Sequence, residues 1–376
     1  MCRYNVDATD AQILLGYSDL FPGTAPELIP EIQKLNMHKA ISIISELITL
    51  RHGKMKPINV CGYSIQLPYE AFLKKIILCL GDASCKDLST NPIFRKNQHV
   101  ISIQMLLILL KKIIAYGNYE TLNQVDYKIT DADYAKIIQL QLIVVDEVCQ
   151  NEEHSFDRGH FIFSTYHLNH HLPDSGRFLR MYYMLEILNK DADNFPEDIR
   201  GEYRNYYDDF STKYGITTTQ YTSILFCELQ PYYLEEKPIT HMSAWRTVAD
   251  TYKKAENREI FSKALELLSA KPEELRDWAI ESQDRQWDFS KFLEAPFLQD
   301  NEGRYISISD YTLSNAFFEK LFWLIRDCYP ENDSRAMAFY GRLFERYVQE
   351  IAHNMKNPDY TFINAVSYTH LTLPTT

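Results

Sequence analysis

Five of the chain's eleven histidines, His154, His160, His167, His170 and His171, fall inside eighteen residues, with Asp157 and Asp174 beside them. Imidazole with carboxylate is a donor set for zinc or iron, and His167 with His170 or His171 would share one helix face. No familiar ligand spacing accompanies the group, and Phe161, Phe163 and Tyr166 give the segment the character of a packing element. Two readings follow: a histidine-cluster metalloprotein, or polar and core histidines on an aromatic-rich segment. Trp245, Trp278, Trp287 and Trp323, with the pairs Tyr182-Tyr183, Tyr206-Tyr207 and Tyr232-Tyr233, pose a similar choice. Such rings could stack on nucleobases, yet paired aromatics on helices in an acidic region usually fill the seams between them. The sequence holds no GxxxxGK[ST], no GxGxxG, no GxSxG and no HExxH. The common nucleotide-binding and hydrolase readings therefore lose their usual support.

The most informative segment is Gly341-Arg342-Leu343-Phe344-Glu345-Arg346-Tyr347-Val348. Periodicity predicts a helix over 333–355, with Met337, Tyr340, Phe344, Tyr347/Val348, Ile351 and Met355 as its apolar stripe. Glu345 lies in a neighbouring row with Gly341, Val348 and Ala352. Gly341 leaves room there for a second backbone. The pattern predicts Glu345 at the shoulder of the buried face, where a carboxylate needs a cation, a donor or a metal. The plainer alternative is an ion pair with Arg342, three residues earlier, or a solvated edge.

This G-x-x-F-E-x-Y-V pattern resembles the first core helix of PD-(D/E)XK, restriction endonuclease-like nuclease domains. In that family a Glu on this helix joins the metal site. The resemblance covers about residues 333–364 and carries over one residue, Glu345, as catalytic and metal-binding. Pro358-Asp359 is not the family's PD, because no (D/E)xK follows it. The family's remaining carboxylates, its lysine and their strands would lie past Asn364. The unit from Pro296 to Tyr329 also resembles the connector ahead of such domains in bacterial proteins with long helical N-terminal regions. The resemblance implies a Mg²⁺-dependent DNA nuclease as the parent protein, with DNA as its partner. The present chain would be its helical platform, inactive alone and needing no cofactor. The alternative is a non-catalytic helical scaffold for protein partners, in which Glu345 is an ion-paired helix residue.

The elements that would hold these residues are mostly helical. Thr24-Ala25-Pro26-Glu27 reads as a helix start, and Asn36 can cap a helix with Ile41, Ile44, Leu47 and Leu50 on one side. Leu67-Pro68-Tyr69 opens a helix through Leu80. Gln98 to Tyr116 reads as a central helix, apolar nearly all round. Thr130 to Asp133 caps a helix reaching about Cys149. Further helices are predicted near 174–190, 196–213, 218–231, 256–270 and 272–282, the last with Pro272 at its start. Ala295–Ile308 reads as a β-hairpin, followed by a helix from Asp310 through Asp327. The fold class is mainly α: a multi-helix array, a small hairpin near 295–308 and the first helix of a truncated α/β domain. Boundaries are expected at 1–150, 151–330 and 331–365.

Composition narrows the functional classes. The chain has 376 residues, 45% hydrophobic and 24% charged, which excludes wholesale disorder. Net charge is −12, but residues 1–120 carry 13 Lys/Arg against 10 Asp/Glu, so the acidity lies downstream. An acidic majority argues against a broad phosphate-tracking surface and favours protein as this chain's own partner. Seven scattered cysteines without a CxxC pair predict reduced thiols and a cytoplasmic protein, with Cys79, Cys149 and Cys227 as small buried hydrophobes. The longest mainly apolar stretch, Val100–Leu110, is too short to span a membrane. The last eleven residues, Val366–Thr376, resemble translated sequencing adapter from a metagenomic read, so 366–376 are set apart as a non-native tail.

Overall fold

The computed structural model describes residues 13–14, 16–21, 23–53, 59–60, 63–64, 98–99, 101–125, 128–155, 183–188, 193, 195, 197–233 and 244–354. The helix expected over Leu67–Leu80, most of the histidine cluster and everything past Asn354 lie outside these residues. The architecture is mainly helical with a small three-stranded sheet. The chain divides into two compact units, Met1–Leu172 with Thr222–Lys320, and Pro173–Tyr221 with Leu321–Thr376.

The first unit is built around helix Ile103–Tyr116, against which helices Leu28–Gln33, Met37–Gly53, Asp131–Ser155 and Pro272–Glu281 pack. Its side chains from Gln104 to Lys111 and from Ile113 to Ala115 are buried, the all-round burial that its composition predicted. The helix starts five residues later than expected. Gln98-His99 pairs as a parallel strand with Ile13-Leu14, and the Ser102 hydroxyl then accepts from the Met105 amide at the first turn. Asn36 caps the next helix through Lys39 N–H at 2.8 Å, and Ile41, Ile44 and Leu47 are buried as expected. The first predicted helix begins at Leu28, beyond the Thr24 signal, with Glu27 at its N-cap in extended backbone. Helix Asp131–Ser155 outruns its predicted end by six residues.

The hairpin forms where it was expected. Phe297–Gln299 pairs antiparallel with Tyr305–Ser307, Leu298 opposite Ile306. Ser269-Ala270 adds a short parallel strand beside Phe297-Leu298, and Arg246 bridges to Tyr305 on the other edge. Gly303, at φ 77°, supplies the left-handed residue that the tight turn requires. Leu298, Ile306, Ile308, Leu275, Ala279, Phe289 and Phe292 join the same core as helices Met37–Gly53, Ile103–Tyr116 and Asp131–Ser155.

After the hairpin, Ser309 rather than Asp310 is the cap, its hydroxyl accepting from Thr312 N–H at 3.1 Å. The expected single helix runs as Asp310–Asn315, a π-type turn Ala316–Lys320 and helix Leu321–Asp327.

The second unit holds helices Tyr206–Tyr214, Leu321–Asp327 and Ser334–Asn354, with a π-type turn at Tyr183–Leu188. The helix expected over 196–213 is broken between Glu197–Arg200 and Tyr206–Tyr214. Asn205 restarts it by accepting from Asp208 N–H at 3.1 Å. Gly215, at φ 67°, ends it in the left-handed conformation that glycine allows. An aromatic nucleus fills this unit: Phe339 meets Phe195, Tyr203 and Tyr206 at ring-centroid distances of 5.6, 5.2 and 5.5 Å.

Candidate functional site

Helix Ser334–Asn354 carries the predicted site residue. Asp333 opens it, its carboxylate accepting from the amides of Arg335 at 3.0 Å and Ala336 at 3.4 Å, while Arg204 holds that carboxylate at 3.2 Å. Among the described side chains of the helix, Ala336, Phe339 and Leu343 are buried, spaced three and four apart. That corrects the expected phase: Phe344 is 44% and Val348 47% exposed, and Gly341 is exposed too. At about 100° per residue, Glu345 stands some 200° from Leu343, on the side away from the core. Glu345 is therefore not at the shoulder of the buried face. The helix bears two apolar rows, and the aromatic nucleus takes the one containing Phe339.

Glu345 Oε2 accepts from Arg342 Nη1 at 3.3 Å, and both side chains are 39% exposed. Arg342 also comes within 3.9 Å of Glu202. This is the i−3 ion pair that the plainer sequence reading anticipated. A magnesium ion wants several oxygen ligands in near-octahedral array. One carboxylate opposed by a guanidinium does not fit that need. Among the described residues no three His, Cys, Asp or Glu side chains converge as a metal-holding group. A Cβ placed on Gly341 would meet nothing within 4 Å, so space for a packed layer is open above this row. The aromatic side of the outer face continues onto a neighbouring helix, where Phe322 meets Tyr340 at 4.9 Å and Trp323 meets Phe322 at 5.3 Å. Trp323 is 64% exposed.

The other tryptophans have structural work. Trp245, Trp278 and Trp287 pack against the first unit's core, the packing role that the sequence offered as the alternative to base stacking. Tyr206 is buried in the second unit's nucleus. Cys227, expected inside, is exposed on helix Thr218–Tyr233, because the adjacent Glu228 takes the inward position.

Sequence reading missed three buried polar clusters in the first unit. Lys111, 3% exposed, sits in the apolar central helix and donates to the carbonyls of Ser282 at 2.9 Å, Arg285 at 3.0 Å and Asp288 at 3.2 Å. Ser282 is the C-cap of helix Pro272–Glu281, so the ammonium closes a negative helix end. Burial pulls the Lys111 pKa down to about 8. His38 stacks on Trp245 at 4.2 Å and lies 3.4 Å from Asp300, whose carboxylate also accepts from Arg304 Nε at 2.6 Å. Burial lowers the His38 pKa to about 4, with Arg304 pushing the same way and Asp300 opposing. Glu228 pairs with Arg246 at 2.8 Å, and the Arg246 guanidinium lies over the Tyr305 ring at 4.9 Å.

Each of these clusters braces backbone: a helix end, a hairpin turn, or the strand bridge at Arg246. The signal available in the sequence was faint. Lys111 shows only as a cation at the edge of an apolar run, and Asp300 with Gly303 as turn residues. Chemistry facing outward is found on the Gly341–Val348 segment.

A helical protein of two compact units, with one amphipathic helix apolar on both sides, is the class that fold and site define. Comparison with protein-family profiles, curated proteins and solved structures found no match to this chain. Among the described residues no helix is long and apolar enough to cross a membrane.

Proposed function

We propose that this chain is a non-catalytic helical platform that binds a protein partner through the outward row of helix Ser334–Asn354. One observation carries the reading: Phe344 and Val348 stand exposed about one and two turns beyond a Gly341 with open space above it. Of seven large hydrophobic side chains exposed among the described residues, Phe344 and Val348 lie about one turn apart on this row. Such clustering, rather than single exposed side chains, marks an interaction site. The test is a photo-crosslinking residue placed at position 344 in cells, with the adduct identified by mass spectrometry. A discrete protein adduct is expected. No adduct at 344, with the same probe active at a control position, rejects the platform.

A second reading is favoured by the coincidence of that row with the nuclease-like motif. Gly341, Phe344, Glu345 and Val348 all lie off the unit's core, where the sheet of a restriction-like domain would pack. In that reading Glu345 acts with carboxylates and a lysine encoded beyond Asn364, on a DNA substrate. Sequencing the uninterrupted gene tests it: an Asp followed by (D/E)xK on a predicted strand is required. Mg²⁺-dependent DNA cleavage by that gene product must also be lost in Glu345→Gln.

A further inference from the structure

We draw no further inference here: the strongest candidate, the exposed row of Gly341, Phe344 and Val348 on helix Ser334–Asn354, belongs to the surface already proposed as a binding platform, and nothing in the structure shows what covers it.

Discussion

Replacing Lys111 by Met deletes an ammonium and keeps nearly the same apolar stem. The loss is three charge-assisted hydrogen bonds, to Ser282, Arg285 and Asp288, at 2.9 to 3.2 Å. Bonds to a charged group are worth about 1.5–3 kcal/mol each. Against them stands the cost of burying the charge. A pKa drawn from 10.5 to about 8 corresponds to about 3 kcal/mol. The balance predicts that Lys111→Met destabilises the chain by about 2–5 kcal/mol, within the range for breaking a buried polar cluster on one side. Lys112 is the internal control. It pairs with Glu147 at 2.9 Å with both side chains partly exposed, and Lys112→Met should cost less than about 1 kcal/mol. Urea unfolding followed by far-UV circular dichroism at pH 7 measures both. The pH dependence carries a second signature. Between pH 8 and 10.5 the unfolded chain holds a proton at this lysine that the folded chain has released, so wild-type stability gains a rising component there. That component should be missing from Lys111→Met. A Lys111→Met cost below about 1 kcal/mol, or equal to that of Lys112→Met, refutes the clamp.

His38 gives a slope of the same sign at lower pH: its imidazole, held at about 4, stays neutral in the fold while the unfolded chain protonates below 6.5. Stability should therefore fall from pH 6.5 toward 4 by at most about 3 kcal/mol, and His38→Leu should flatten that slope in urea titrations at several pH values. Leu343→Ala should cost about 2–5 kcal/mol, whereas Phe344→Ala should stay within about 0.5 kcal/mol. Equal costs would return the helix to the phase its sequence suggested. A Cβ at Gly16 would fall 1.9 Å from Asp146 Oδ1, the carboxylate that accepts from Ser18 N–H at 2.8 Å. Gly16→Ala should lower the melting temperature, corresponding to about 1–3 kcal/mol, and an unchanged value would contradict that close approach. Glu345→Gln should change stability by less than about 1 kcal/mol, because its pair with Arg342 is well exposed.

Local signals served the fold well where the cause was local. Asn36, Pro272, Gly215 and the turn at Gly303 each act through their own backbone, and the structure uses all four as their residue types imply. Gln98-His99 was misjudged because its strand partner, Ile13-Leu14, lies far upstream and leaves no mark on the apolar run. The same holds for Lys111, whose three acceptors are backbone carbonyls more than 170 residues downstream. Helix Ser334–Asn354 was found, but its phase was not. Two apolar rows fit one periodicity, and the larger side chains of the outer row outweighed Ala336, Phe339 and Leu343. Glu345 was legible as a helix carboxylate beside Arg342. What packs over it depends on a surface rather than on a local pattern.

The shared core of the first unit sets a delay on its making. Leu298, Ile306 and Ile308 complete the apolar surroundings of helices that end by Ser155. At about 5–20 residues per second, ribosomal synthesis separates Tyr116 from Ile308 by roughly 10–40 s. For that interval the Ile- and Leu-rich helix Ile103–Tyr116 has left the ribosome without its last covering layer, far longer than the microseconds a chain needs to collapse. Nascent chains paused in that window are the species most prone to aggregate, and the ones on which a ribosome-associated chaperone would act.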